Sequence, residues 1–287
     1  MLTPLPRFGS KCRQHGGLFT LSLTAMNFRE LHQSPELLQI ANVWDAGSAV
    51  LVQALGVPAL ATTSAGLAWA LGYADGNHLP IAEHAAAIRR IARVARVPLS
   101  ADSEAGYSDD PATAAGHVMQ LVEAGAVGIN LEDGAGEPAL LARKIEAIKA
   151  AAARAGVDVF INARCDVYLR NLAPGRAAEE VLLRARDYAA AGADGLFAAG
   201  VTTVADIEAL VAGQPLPLNV MARPALPGLD ELKRLGVRRI SAGSAIAEAA
   251  WGRAQRAAAG FLAEGGGAEL FDGAAPYPEI NKQFAQG

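Results

Sequence analysis

A closed α/β barrel of eight parallel strands, the (β/α)8 TIM barrel, is the fold this sequence predicts, and three observations predict it. Short apolar runs recur at residues 38–43, 57–62, 97–102, 126–132, 157–163, 195–199, 216–220 and 237–242. Mostly alanine-rich segments of helical period separate them, and strict alternation of strand and helix makes a parallel sheet with helical crossovers. Eight strands within roughly 240 residues favour closure into a barrel. No GxGxxG follows the first run, which counts against an open dinucleotide-binding sheet.

Taken in order, residues 1–25 carry Arg7, Lys11 and Arg13 ahead of a weak apolar run at 18–23. That is a poor signal peptide, so we expect a disordered extension, with the catalytic barrel occupying residues 26–264. Residues 64–80 are too long for an ordinary strand-to-helix loop and are expected to fold over the barrel mouth, with Trp69 and Tyr73 closing the lid or packing. Asp109, Asp110 and Pro111 read as an acidic cap with proline at the first helical position, and Gly125 ends that helix. Thr202 and Thr203 start another. Residues 227–236 hold one short helix between the last two strands. Beyond the eighth strand, residues 244–263 are helical, Gly265, Gly266 and Gly267 form a hinge, and residues 277–284 form an amphipathic tail. The last segment, 265–287, needs cover for its apolar face, and a neighbouring subunit would provide it.

Composition narrows the function classes. Of 287 residues 52% are hydrophobic and 19% charged, enough for a large core. A net charge of −4 gives no reason to expect nucleic acid or an anionic membrane as partner, so small solutes fit better. Cys12 and Cys165 lack disulfide or zinc spacing, and a reducing cytoplasm is the expected location. No run of about 18 apolar residues is present.

Alternation sends every second side chain of a barrel strand inward. The fourth run places Gly128, Asn130 and Glu132 inside and Val127, Ile129 and Leu131 against the helices. The third places Ser100 and Asp102 inside, and the fifth Phe160, Asn162 and Arg164. Asn42, Ser64 and Asn219 add polar groups at other carboxyl ends, where barrel enzymes place their chemistry. Asp102 and Glu132, with Glu104 or Asp75, offer the oxygen ligands that Mg²⁺ or Mn²⁺ takes; zinc would want His or Cys. Arg164 would hold a substrate carboxylate and offset enolate charge. The bland alternative is a structural ion network in which Arg164 neutralises Asp102 and Glu132. His78 reads as a lid surface residue, His84 and His117 as solvated helix positions, Cys165 as outward packing, and the Arg89–Arg96 run as a solvated face.

Six ordered motifs carry a resemblance: Asn42-Val-Trp-Asp-Ala, Thr62-Thr-Ser-Ala-Gly-Leu-Ala-Trp, Leu71-Gly-Tyr-Ala-Asp-Gly, Ala101-Asp-Ser-Glu-Ala-Gly-Tyr, Gly128-Ile-Asn-Leu-Glu-Asp and Phe160-Ile-Asn-Ala-Arg-Cys-Asp-Val-Tyr. The chain resembles the isocitrate lyase and phosphoenolpyruvate mutase superfamily over nearly its whole length. The resemblance implies a barrel whose last helix is exchanged between subunits of a homodimer or homotetramer. It further implies that Ser64, Gly66 and Leu67 bind a substrate carboxylate or phosphonate, that Asp75, Asp102 and Glu132 hold Mg²⁺ directly or through water, and that Arg164 contacts substrate. Two departures matter. Ser100-Ala-Asp102 stands where the family often has a pair of aspartates, with Glu104 a positional substitute. The loop that carries the lyases' catalytic cysteine is reduced to Gly134-Ala-Gly-Glu-Pro138, where Glu137 is a candidate substitute acid or base. The expected activity is Mg²⁺-dependent cleavage of a carbon–carbon bond, by retro-aldol scission or decarboxylation, in a small 2-oxo or 2-hydroxy dicarboxylic acid. A carbon–phosphorus mutase or hydrolase of phosphonopyruvate type, and a degenerate small-acid binder, are the alternatives.

Overall fold

The computed structural model of the protein describes residues 28–265 and 267–285, so the expected extension 1–25 lies outside the described residues. Nine strands form one wholly parallel sheet in the order β1-β9-β8-β7-β6-β5-β4-β3-β2. The first expected strand is broken at Ala41 into β1 (Leu38–Ile40) and β2 (Asn42–Val43). The front half pairs with β9 (Arg239–Ser241) and the rear half with β3 (Leu60–Thr62), so eight staves close the barrel. The other staves are β4 (Leu99–Asp102), β5 (Gly128–Glu132), β6 (Phe160–Cys165), β7 (Gly195–Ala198) and β8 (Leu218–Met221).

Helices cover the outside: α2 (Ala46–Gln53), α3 (Ser64–Ala70), α4 (Ile81–Val94), α5 (Pro111–Glu123), α6 (Pro138–Ala155), α7 (Ala177–Ala190), α8 (Val204–Gly213), α9 (Leu229–Arg234) and α10 (Ala245–Glu264) follow the strands in turn, after α1 (Phe28–Gln33). Their starts follow local chemistry. Asp110 accepts the Thr113 N–H at 2.8 Å ahead of Pro111, and Thr203 accepts the Asp206 N–H at 3.2 Å. Two short helices end the chain, α11 (Ala268–Phe271), which the sequence pattern did not announce, and the expected tail helix α12 (Tyr277–Phe284). None of the helices among the described residues is long and apolar enough to cross a membrane.

The core has two shells. Ile129, Leu131, Ile161, Ala163 and Cys165 pack outward against the helices, as alternation requires. Inside, α1 closes the amino-terminal end: Phe28 and Leu31 pack with Leu38, Ile40, Ala59, Ala61 and Phe160. A Cβ on Gly128 would lie 2.7 Å from the Phe28 ring, so only glycine lets the plug seat. Val127 precedes the strand and is 40% exposed, a correction to its expected place against the helices. Above the plug the interior turns polar, with Ser100, Asn130, Asn162, Asn219 and Arg239 all buried.

The expected lid is half helix. Its first seven residues form α3, and the loop that follows carries Asp75 to the mouth. Arg89, Arg90, Arg93 and Arg96 are exposed, and so is His78. His84 and His117 need correcting. Both turn toward the loop after β4: His84 is buried against the Tyr107 hydroxyl at 3.0 Å, and His117 is half-buried on the Gly106 carbonyl at 3.1 Å. In the tail, Phe284 reaches Gly47 on α2 of its own chain, although no residue of α12 is buried.

Candidate active site

The carboxyl ends of the strands open into a cavity of about 230 Å³ lined by residues from all eight staves or the loops after them, Asn42, Ser64, Asp75, Asp102, Asn130, Arg164, Phe197, Arg223 and Ser241 among them. Asn42 holds its rim by donating to the Thr62 carbonyl at 2.9 Å and accepting the Gly243 N–H at 2.9 Å. Asp102 ends β4 with its backbone N–H on Thr62 Oγ1 at 2.9 Å, and its Oδ2 accepts the Ser64 N–H at 3.2 Å. The other oxygen, Oδ1, is buried without a hydrogen-bond partner among the described residues. Burial drives the carboxyl upward from its ordinary range, with Arg164 opposing. An orphaned buried carboxylate oxygen is costly unless something positive completes it.

Alternation delivers Glu132 and Arg164 from adjacent strands to the interior, and they meet at 2.7 Å. Arg164 is also gripped by Asp166, through Nε at 2.7 Å and Nη2 at 3.1 Å. Burial works against its charge, but Glu132, Asp166 and Asp102 overcome this and hold it well above the usual range. Glu132 is pushed up to about 8 by burial, with Arg164 opposing and Asp102 reinforcing the rise. The structural ion network is thus real for Glu132, whereas Asp102 takes no part in it by direct contact.

Behind Asp166 stands a buried scaffold that sequence reasoning missed. Asp133 accepts the Asp166 N–H at 2.9 Å, Arg184 Nη1 at 2.9 Å and the Tyr188 hydroxyl at 2.6 Å. Arg223 was also missed. It follows the carboxyl end of β8, and an arginine at such an end, just before Pro224, was the available signal.

Other expected site residues sit differently. Both carboxylate oxygens of Glu104 are engaged: one accepts the Asn77 N–H and the other the Tyr107 hydroxyl at 3.0 Å, so this buried residue latches the lid loop. Glu137 is exposed and lines a neighbouring cavity with Glu132 and Lys144, away from Asp102. Asn219 lies deeper than the cavity wall, one inward position below Met221, and both ends of its amide are unpartnered among the described residues. Leu67 is buried in the outer core with its N–H on the Thr63 carbonyl at 3.0 Å. Gly66 packs tightly against Thr63, Trp44 and Ala247. Of the first-turn amides of α3 that lack an intrahelical acceptor, Ser64's is taken by Asp102, and since Thr63 makes no side-chain cap, those of Ala65 and Gly66 are left for a ligand.

A hard cation fits this chemistry. Asp75 and Asp102 line one cavity, Asp102 keeps an unused buried oxygen, and beyond the effect of burial the negative charge of neighbouring carboxylates adds to the upward push on Asp102, Glu104 and Glu132. Among the described residues no three carboxylate, histidine or cysteine side chains converge into a ready-made cluster. A small cation that retains several waters suits such a spread-out set.

Comparison with known proteins bears on the fold and the family. An uncharacterized protein of Mycobacterium tuberculosis (strain ATCC 25618 / H37Rv) is 37% identical over 224 residues, covering 76% of this chain and 82% of that protein. Oxaloacetate decarboxylase of Ectopseudomonas mendocina (strain ymp) is 33% identical over 227 residues, covering 76% and 77%. Among solved structures, a presumed lyase/mutase of Burkholderia cenocepacia J2315 is 36% identical with a TM-score of 0.82, covering 90% of this chain and 94% of that one. A phosphonopyruvate hydrolase complexed with oxalate and Mg²⁺ is 25% identical with a TM-score of 0.78, covering 90% and 93%. The family model for phosphoenolpyruvate phosphomutase matches residues 28–262, from the plug helix to nearly the end of α10, and the chain belongs to that family.

Proposed function

We propose that this protein is a Mg²⁺-dependent carbon–carbon lyase acting on a small 2-oxo or 2-hydroxy dicarboxylic acid. The observation that carries the reading is the buried, unpartnered Oδ1 of Asp102 on the wall of a cavity that also holds Asp75 and Arg164. Asp102 and Asp75 would hold the cation, with Glu132 beside them, and Glu104 would keep the lid loop closed behind them. Bound there, Mg²⁺ supplies positive charge that stabilises the electrons released as the bond breaks. Ser64 and the Ala65 and Gly66 amides orient the substrate's first carboxylate. Arg164, fixed in place by Asp166, keeps a permanent positive charge where negative charge develops. Phe197, Leu169 and Met221 line the cavity with apolar surface and limit water. The short loop at residues 134–138 suits decarboxylation, which needs an electron sink more than a dedicated protein acid. Relatives named oxaloacetate decarboxylase support the substrate class. We assign catalysis to the barrel and assembly to α10 and the tail, in a homodimer or homotetramer.

The test is turnover of oxaloacetate, malate and 2-methylisocitrate by the purified protein. Pyruvate or another cleavage product should form with Mg²⁺ and cease with a chelator, and Glu132→Gln should lower kcat by about 100-fold or more. Absence of metal-dependent turnover on all three would reject the reading. Phosphate release from phosphonopyruvate would favour the carbon–phosphorus alternative instead.

A further inference from the structure

We infer that Arg223 reads the substrate's far carboxylate and so sets the length and charge of the acid this site accepts. This rests on the function proposed above. Around the ring of eight staves β8 is the fourth from β4 in either direction, so the loop after β8 faces the end of β4 across the mouth. Arg223 and Asp102 therefore line the same cavity from opposite sides. Between them the wall presents an apolar patch, Leu169, Phe197 and Met221, beside the polar Asn130 and Arg164. Acidic end, apolar flank and cationic end together match a short carbon chain that is anchored through a cation at one carboxylate and carries a second carboxylate at its tip.

Among the described residues no other cationic side chain on the cavity wall is free to receive that second charge. The cavity wall carries two cations, Arg164 and Arg223. Arg164 has each of its three nitrogens bonded to a carboxylate oxygen of Glu132 or Asp166. Arg223 is exposed, and no ion pair or side-chain hydrogen bond engages it among the described residues. Its backbone is nonetheless fixed. Pro224 restricts it to extended conformations, its carbonyl accepts the Leu226 N–H at 3.0 Å across a tight turn, and the preceding Ala222 N–H is tied to Ser241 at 2.8 Å. A free guanidinium on a rigid stem is what bidentate capture of a carboxylate requires.

Binding measurements separate this proposal from the one it rests on. With Mg²⁺ present, wild type, Arg223→Gln and Arg223→Lys are titrated calorimetrically with oxalate, too short to span the cavity, and with malate, a four-carbon diacid. Arg223→Gln should weaken malate about 10- to 100-fold, the loss of one charged hydrogen-bonded pair, while oxalate changes by less than about threefold; Arg223→Lys should recover part of the malate affinity. Equal weakening of both acids, or no effect on either, overturns the role of Arg223 and leaves the site reading intact. Wild type that binds neither acid with Mg²⁺ overturns both.

Discussion

The Arg164 guanidinium owes its position to Asp166, and Asp166 owes its own to Asp133, a relay of buried ionic contacts running outward from the cavity. Asp133 touches no cavity that contains Asp102, so it acts as a positioning residue. Asp133→Asn should lower kcat about 10- to 100-fold with a smaller change in KM, the usual cost of disturbing an outer support; a change confined to thermal stability would show a structural role alone. His84 gives a pH signature. Burial lowers it from 6.5 to about 4, so between those values the unfolded chain takes up a proton that the folded one refuses. The stability that depends on a neutral His84 is therefore complete above pH 6.5 and lost as pH falls toward 4. Urea midpoints measured from pH 7 to pH 4 should fall less steeply for His84→Gln than for wild type. Alternation made Asp102, Asn130, Glu132, Asn162 and Arg164 legible as inward residues and Cys165 as outward. It could not place His84, because what buries that side chain is Tyr107, on a loop whose left-handed backbone (φ 58°) folds back onto α4. Nor could it show that Glu104 would be consumed by Asn77 and Tyr107, partners 27 residues upstream and three downstream.

At the level of elements, strands and capped helices were readable because their signals are local: apolar runs, the Asp110–Pro111 start, the Gly125 stop. The α1 plug was not, since Phe28 and Leu31 reveal their purpose only once the barrel's floor exists to receive them. Phe28→Ala should cost about 3–5 kcal/mol, as large cavities in packed cores do, and a urea titration would register it. Substitution of Gly128 by alanine presses a methyl group on the same ring, and should destabilise by about 1–3 kcal/mol through overpacking. The break at Ala41 was equally unreadable, because residues 38–43 read as one strand-like segment and only pairing with two different neighbours divides it.

For the molecule as a whole, α10 leaves Trp251, Phe261 and Leu262 at 45%, 50% and 82% exposure on one long helix. Such a face calls for cover, and helix exchange with a second copy would provide it. Sedimentation should find wild type as a dimer or tetramer and Trp251→Glu with Leu262→Glu as a monomer; a monomeric wild type would sink the exchange. The split first stave has a consequence of its own. β1 and β2 supply three and two residue pairs to their neighbours, and Asn42 fastens the gap from the side by bridging Thr62 and Gly243. The hoop thus has a buckle, and the buckle is part of the cavity wall. Breathing of the cylinder should begin along that meridian, with amide protons of residues 38–43 and 60–63 exchanging ahead of those in β5 and β6, and an acid lodged in the mouth should slow them by fastening the clasp.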